Sequence, residues 1–362
     1  MILLSSIITL FGARFLEQYQ DRLLPSHRQA LDAMKDCRTH RGPLMLAHCS
    51  ECDAQIYVPH SCGHRNCPHC QHHESQQWLE RQLKKQVPAE YFLLTFTLPA
   101  EFRPLAWAHQ RQVYAAMIQC CWETLRTFSQ NDKELQGTPG VIAVLHTHAR
   151  NLEYHPHVHL VMPAAAIDKL SQLWRTKKSK KNKPYLFNHK ALAKVFRAKM
   201  LDAIPREGLA LPARYPEKWV VDCKSVGCGE KALVYLGRYL YRGVIQENDI
   251  VRCEDGEVTF RYQDSHTKTM MDRTVTGEEF LWLILQHVLP KRFRRARNFG
   301  FLHPNSKRLI QVLQLVLGFD PNRALAWMKK RPPMCCRCCG AAMTIIARRI
   351  VPIRPAAKWV PT

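Results

Sequence analysis

Four groups of residues carry chemistry in this sequence. Cys49-x-x-Cys52 and Cys67-x-x-Cys70 each set two thiols on one turn of chain, and four thiolates complete a tetrahedral zinc shell. Such a shell has no open position, so its expected role is structural. Cys37, Cys62, His60, His64 and His69 lie nearby and are candidates to replace a ligand or hold a second ion. His157-Val158-His159 is the second group. Alternate residues of a strand share one face, so both imidazoles can reach one metal ion. Val141 to His148 is expected to pair antiparallel with this segment, which makes His146 the leading third ligand and leaves His148 and Glu153 as alternatives. A metal held by two or three side chains keeps positions open for a phosphate oxygen.

Tyr235 and Tyr239 form the third group, four apart and therefore on one helix face. A phenol can attack a phosphodiester and hold the product covalently. Alone, the spacing favours an ordinary aromatic stripe packed in a core, but Arg238 and Arg242 beside it tilt the reading toward phosphate. If only one phenol works, Tyr239 is the favoured one. The fourth group is Cys335-Cys336-Arg-Cys338-Cys339, two overlapping C-x-x-C pairs without an evident partner. Cys336 and Cys339 are its candidate zinc ligands.

These groups need elements to hold them. Tyr91 to Leu98, Val141 to His148 and His157 to Met162 read as strands, with roughly eight residues of hairpin loop between the last two. Tyr114, Met117, Ile118, Cys121, Trp122, Leu125 and Phe128 fall at helical spacing. Glu230 to Tyr241 reads as a helix after the Gly227–Gly229 break, and Phe280 to Leu289 as an apolar helix ended by Pro290. The stretch from Cys37 to His73 has little apolar periodicity, so a metal must supply much of its stability. The tail from Arg331 is expected to be loosely ordered.

Composition narrows the partners. Lys and Arg total 53 against 30 Asp and Glu, a net charge of +23, and such a field attracts polyanions, nucleic acid above all. Lys291, Arg292, Arg294 and Arg295, in a segment with five basic residues in seven, and the run Lys177 to Lys183 are candidate phosphate contacts. No basic amphipathic helix, lipid motif or membrane span is evident, so no membrane partner is expected. Fifteen cysteines in paired spacings fit metal binding in a reducing cytosol better than a disulfide framework.

Taken together, the motifs resemble the rolling-circle transposases of the insertion-sequence ninety-one family, including the common-region elements, within the His-hydrophobic-His superfamily of single-strand endonucleases. The resemblance runs from about Cys37 to Gly340. It rests on Cys37-Arg-Thr, Ser61-Cys62, Arg65-Asn-Cys67-Pro-x-Cys70, Thr95-Phe-Thr-Leu-Pro99, His146-Thr147, Asn151 to His159, Tyr235-Leu-Gly-Arg-Tyr239, His287 to Phe293 and Gly300-Phe-Leu302. Where the family usually has His-Thr-Trp, this chain has His146-Thr-His148. The resemblance implies an α+β fold, a central antiparallel sheet with flanking helices, preceded by a zinc-binding module. It implies Mg²⁺ or Mn²⁺ on His157 and His159, and Tyr235 and Tyr239 as nucleophiles that leave a 5′-phosphotyrosine and a free 3′-hydroxyl. The implied partners are single-stranded DNA at element ends and target, and the host replication machinery. The implied setting is the bacterial cytoplasm at the nucleoid.

The expected organisation is N-terminal helices over residues 1–36, the zinc module over 37–75, the catalytic domain over 88–305, and a basic, Cys-rich C-terminal region over 306–362. A plasmid relaxase or replication initiator would use the same chemistry on other cargo. A non-enzymatic zinc-finger regulator would explain the cysteines and the charge, but neither the histidine pair nor the tyrosine helix.

Overall fold

The computed structural model describes residues 2–39, 42–70, 72–168, 171, 173–178, 185–241, 243–264, 267–326 and 333–351. Arg242, residues 179–183 of the lysine run, and residues 352–362 of the tail lie outside the described residues. Helices α1 (Leu4–Gln18) and α2 (Pro25–Lys35) open the chain, followed by the hairpin β1 (Leu44–His48) and β2 (Gln55–Pro59), then α3 (His72–Leu83). The main sheet draws on β3 (Tyr91–Thr97), β4 (Thr138–His148), β5 (Tyr154–Pro163), β6 (Ala165–Ile167), β7 (Trp174–Thr176) and β8 (Val221–Ser225). Helices α4 (Arg103–Ala108) and α5 (Gln110–Asn131) precede β4, α6 (His189–Arg206) precedes β8, and α7 (Glu230–Tyr241) follows it. A small sheet of β9 (Ile250–Glu254), β10 (Glu257–Gln263) and β11 (Met270–Thr276) leads into α8 (Gly277–Leu285). Then come β12 (Ala296–Gly300), α9 (Lys307–Val316) and β13 (Thr344–Ile350).

The main sheet is antiparallel, in the order β7-β6-β4-β5-β3-β8, with β12 also paired to β4. Its central strands are apolar on both faces because helices cover both. On one face Phe92, Leu94, Val141, Ala143, Val158 and Leu160 pack beneath α5 and α6. On the other, Leu93, Ile142, Val144 and Val161 pack beneath α3, α7 and α9. The helical stripe on α5 is core as its spacing predicts, with Tyr114, Met117, Cys121 and Leu125 all buried. Helices α1 and α2, expected as a unit of their own, bury Ile7, Phe11, Phe15 and Leu31 against α8 and β10. Among the described residues no helix is long and apolar enough to cross a membrane.

The tail departs from its expected loose order. Strand β13 pairs antiparallel with β1, opposite the β1–β2 pairing, so the C-terminal region completes a sheet begun near residue 44. The reason is local. Ala47, Cys49, Cys336 and Met343 bury one another in a small core that neither segment can build alone. The hairpin between β4 and β5 is also tighter than expected, with residues 149–153 as its turn.

Two glycines permit close approaches. Gly237 sits mid-helix in α7, where a Cβ would lie 3.3 Å from the Trp78 ring of α3. Gly300 ends β12 at φ +60°, opposite Gly140 of β4, and a Cβ there would fall 1.6 Å from the Pro139 carbonyl oxygen. Gly300→Ala should therefore destabilise the fold by roughly 3 kcal/mol or more, combining left-handed strain with overpacking. A thermal unfolding midpoint unchanged by this substitution would contradict the packing of β12 on β4.

Candidate active site and metal centres

The register of β4 against β5 pairs His146 with His157 and Val144 with His159. All three imidazoles therefore project from the same face of neighbouring strands. Their ring nitrogens lie within 4.8 Å of one another. His146, only 2% exposed, has neither ring nitrogen hydrogen-bonded. An orphaned imidazole so deeply buried is costly unless something else takes its lone pair, and a metal ion fits. His157 Nδ1–H donates to the His155 carbonyl at 2.7 Å, and His159 Nδ1 shares a 3.1 Å hydrogen bond with the Thr95 hydroxyl of β3. With Nδ1 occupied, Nε2 of each is left for a ligand bond. Burial, reinforced by neighbouring rings, holds His146 and His159 well below the usual imidazole range and His157 down to about 4. All three are neutral at neutral pH, the state that ligates.

The alternatives for third ligand are engaged elsewhere. His148 is outside the group, its ring stacked on Tyr239 with centroids 4.7 Å apart. Glu153 faces Arg273 at 3.6 Å.

Helix α7 brings both tyrosines to this triad. The Tyr239 ring stacks on His146 with centroids 3.7 Å apart and planes 6° apart, and its hydroxyl donates to the His148 carbonyl at 3.3 Å. Tyr235 meets His159 edge-on at 6.0 Å and is 43% exposed. Burial raises both phenols above their usual range, against which Arg150 pulls Tyr235 down. A cleft of about 320 Å³ opens here, lined by Tyr235, Tyr239, Arg150, Arg238, Arg261 and Tyr262 among others. Tyr241 turns from the shared face and packs on the sheet cluster instead.

Of the basic candidates, Arg238 lines this cleft, while Arg292 and Arg294 line a separate groove and Lys291 is exposed. Arg295, half-buried, is held within the protein. It folds beneath α7 and donates to the Tyr239 backbone carbonyl. Burial lowers its guanidinium to about 10. Sequence reasoning also missed Thr95 and Arg150 as neighbours of the site. It missed the clamp made by His287, which bonds Thr147 Oγ1 at 3.2 Å and the Leu152 carbonyl at 2.9 Å. The signal for Thr95 was its strand position opposite His159, visible only once register is known.

The expected single shell of Cys49, Cys52, Cys67 and Cys70 is not what forms. The thiols divide into two groups, Cys37, Cys62, Cys67 and Cys70, and Cys49, Cys52, Cys336 and Cys339. The β1–β2 hairpin carries Cys49 and Cys52 to β13, away from the Cys67 knuckle, which folds back on the end of α2. Sγ separations of 3.4–3.6 Å occur in both groups. Zinc–sulfur bonds of about 2.3 Å imply tetrahedron edges near 3.8 Å, so both donor sets fit zinc. His69 pairs with Glu247 at 2.7 Å and His60 bonds the Ser61 carbonyl, and neither is among the residues of the two four-thiol groups. His64 lies beside the first group, its ring nitrogen taken by the Asn66 backbone N–H.

Known proteins match both parts of the chain. A family described as a transposase zinc-binding domain matches residues 7–98, and one described as "Putative transposase" matches residues 140–309. The chain is 31% identical over 322 residues to "Putative transposase y4qJ" of Sinorhizobium fredii, covering 82% of this chain and 79% of that one. It is 26% identical over 328 residues to the transposase for insertion sequence element IS801 of Pseudomonas savastanoi pv. phaseolicola, covering 82% and 77%. Among solved structures, the conjugative relaxase TrwC in complex with OriT DNA, metal-free, is 16% identical over 63% of this chain and 72% of that chain. Its TM-score of 0.28 is too low for the likeness to bear on the chemistry.

Purified protein should contain two zinc ions per chain by elemental analysis. Cys339→Ser and Cys67→Ser should each leave one, because they empty different shells. Wild-type protein with one zinc, or Cys339→Ser with an undiminished content, would contradict the partition.

Proposed function

The chain belongs to the insertion-sequence ninety-one family of rolling-circle transposases, and from that membership we propose that Tyr235 and Tyr239 cut and rejoin single-stranded DNA beside an ion held by His146, His157 and His159. The observation that carries this reading is the stacking of the tyrosine helix directly on the histidine triad. A catalytic unit spanning about residues 88–305, with the zinc module of 37–75 before it, accords with this arrangement; beyond it α9 packs on the main sheet, while Cys336, Cys339 and β13 return to the zinc module.

Arg238, Arg150 and Arg261 line the tyrosine cleft and suit the phosphates flanking the cut. Bound at the triad, a divalent ion supplies charge neutralisation at the scissile phosphate. Three imidazoles without a carboxylate suit Mn²⁺ better than Mg²⁺, which prefers oxygen donors. The phenol oxygen bonds to phosphorus as the bond to the 3′ oxygen breaks, and the phenol proton passes by way of solvent to the leaving 3′ oxygen. The products are a 5′-phosphotyrosine and a free 3′-hydroxyl that can prime host replication. Attack of a 3′-hydroxyl on the phosphotyrosine reverses the step and rejoins strands. No external energy source is consumed, since the phosphodiester is conserved in the tyrosine linkage.

The two phenols differ in readiness. Tyr235 is presented to the cleft, whereas Tyr239 must first release the His148 carbonyl. This shifts the first attack toward Tyr235, against the preference for Tyr239 drawn from the sequence. A denaturing-gel assay with a labelled single-stranded element end tests it. Tyr235→Phe together with Tyr239→Phe should fold normally and give no covalent adduct. Tyr235→Phe alone should lose at least a hundredfold in first-cleavage rate, and Tyr239→Phe should lose less. An adduct that persists in the double variant, or maps to Tyr241, would overturn the assignment.

A further inference from the structure

Beyond the tyrosine cleft, a groove of about 1180 Å³ runs between α3, the start of α5, α9 and the segment from Arg292 to Phe299. Strand β12 forms part of its wall, on the side of β4 away from β5. Eight Lys and Arg side chains line the groove, and no carboxylate does. No residue of this lining also lines the tyrosine cleft.

The cations come from four separate parts of the chain. Arg81 projects from α3 and Lys84, ion-paired with Glu80, from just past its end; Arg111 comes from α5, Arg294 and Arg297 from the β12 segment, and Lys307 from α9. Arg81, Arg294 and Lys307 are exposed, and their side chains make no hydrogen bond or ion pair among the described residues. Deeper in, burial and then Arg81 lower Lys85, while burial and then Arg294 lower Arg297. The cations thus crowd one another. Folding alone returns nothing for that repulsion, whereas a polyanion laid along the groove does.

The aromatic lining indicates which polyanion. Phe293 is 3% exposed, and Phe299 stacks on Trp122 with planes 10° apart. With no Tyr or Trp in the lining, at most one phenyl face is left along the groove, too little for the stacking of successive bases on which single-strand binding relies. A backbone whose bases stay stacked within a duplex needs only the charges. Helix α9 is about 15 Å long by its ten residues, enough to follow about four phosphates of one duplex strand.

We infer that this groove holds the phosphate backbone of double-stranded DNA flanking the strand that is cut, at a site separate from the tyrosine cleft. The inference rests on the proposed DNA strand-transfer function and adds to it a second, sequence-independent contact. It gives the protein a grip on flanking duplex while the cleft takes single strand.

The test uses full-length protein and a short blunt duplex unrelated to the element ends. Fluorescence anisotropy is followed across a salt series for wild type and for Arg81→Gln/Lys307→Gln, both exposed positions. The double variant should bind the duplex roughly tenfold more weakly near physiological salt, with a log–log salt slope shallower by about 2. Its adduct yield on a short single-stranded element end should stay within about twofold of wild type, and its unfolding midpoint should be unchanged. Wild-type duplex affinity and slope in the variant would overturn the inference. So would an equal loss of single-strand cleavage, which would make the groove part of the path of the cut strand. If wild-type protein forms no adduct at all, the catalytic proposal fails while the duplex measurement still stands or falls by itself.

Discussion

The site depends on the antiparallel register of β4 against β5. His146 opposite His157 and Val144 opposite His159 put three imidazoles on one face, under α7. A slip of one residue would turn them toward the apolar layer beneath α5 and α6. Both faces of these strands are buried, so hydrophobic alternation by itself would not forbid that slip. The short turn over residues 149–153 pins it instead, with the Arg273 guanidinium and His287 both bonded to carbonyls of that turn, at Asn151 and Leu152. Thr95 adds a polar pin from β3, because its hydroxyl meets His159 only in this register.

The same economy explains the ends of the chain. The region around Cys37 to Cys70 buries little apolar surface, and two four-thiol groups take the place of a larger core. One group ties α2 to the loop before α3. The other joins Cys49 to Cys339, 290 residues apart, and so fastens the C-terminal strand to the N-terminal hairpin. A cross-link over so long a loop removes much of the unfolded chain's freedom. It also makes the zinc module a product of both ends of the sequence, although the matched zinc-binding family spans only residues 7–98.

Much of this was legible in the sequence. The strands, the tyrosine helix and the α5 core stripe follow from apolar period, and the histidine pair follows from strand alternation. That His146 joins the histidine pair was legible because a hairpin brings it near. The pairing of the cysteines was not. Two C-x-x-C knuckles within twenty-two residues look like one shell, and nothing in their spacing says that β1 and β2 carry the first knuckle to Cys336 and Cys339. Arg295 was equally hidden. In a run of basic residues its neighbours Arg292 and Arg294 face a groove, yet it turns under α7 to the Tyr239 carbonyl, a tertiary contact that the run itself does not signal.

The central claim is that His146, His157 and His159 bind one divalent ion in front of the tyrosines. Electron spin-echo spectroscopy of Mn²⁺ titrated into zinc-loaded protein tests it most directly, since it counts nitrogen ligands without relying on cleavage. The account predicts one tightly bound Mn²⁺ per chain, with modulation from three imidazole nitrogens that drops to two in His146→Ala. A bound Mn²⁺ that shows no imidazole coupling, or binding unchanged when all three histidines are replaced by alanine, would contradict it.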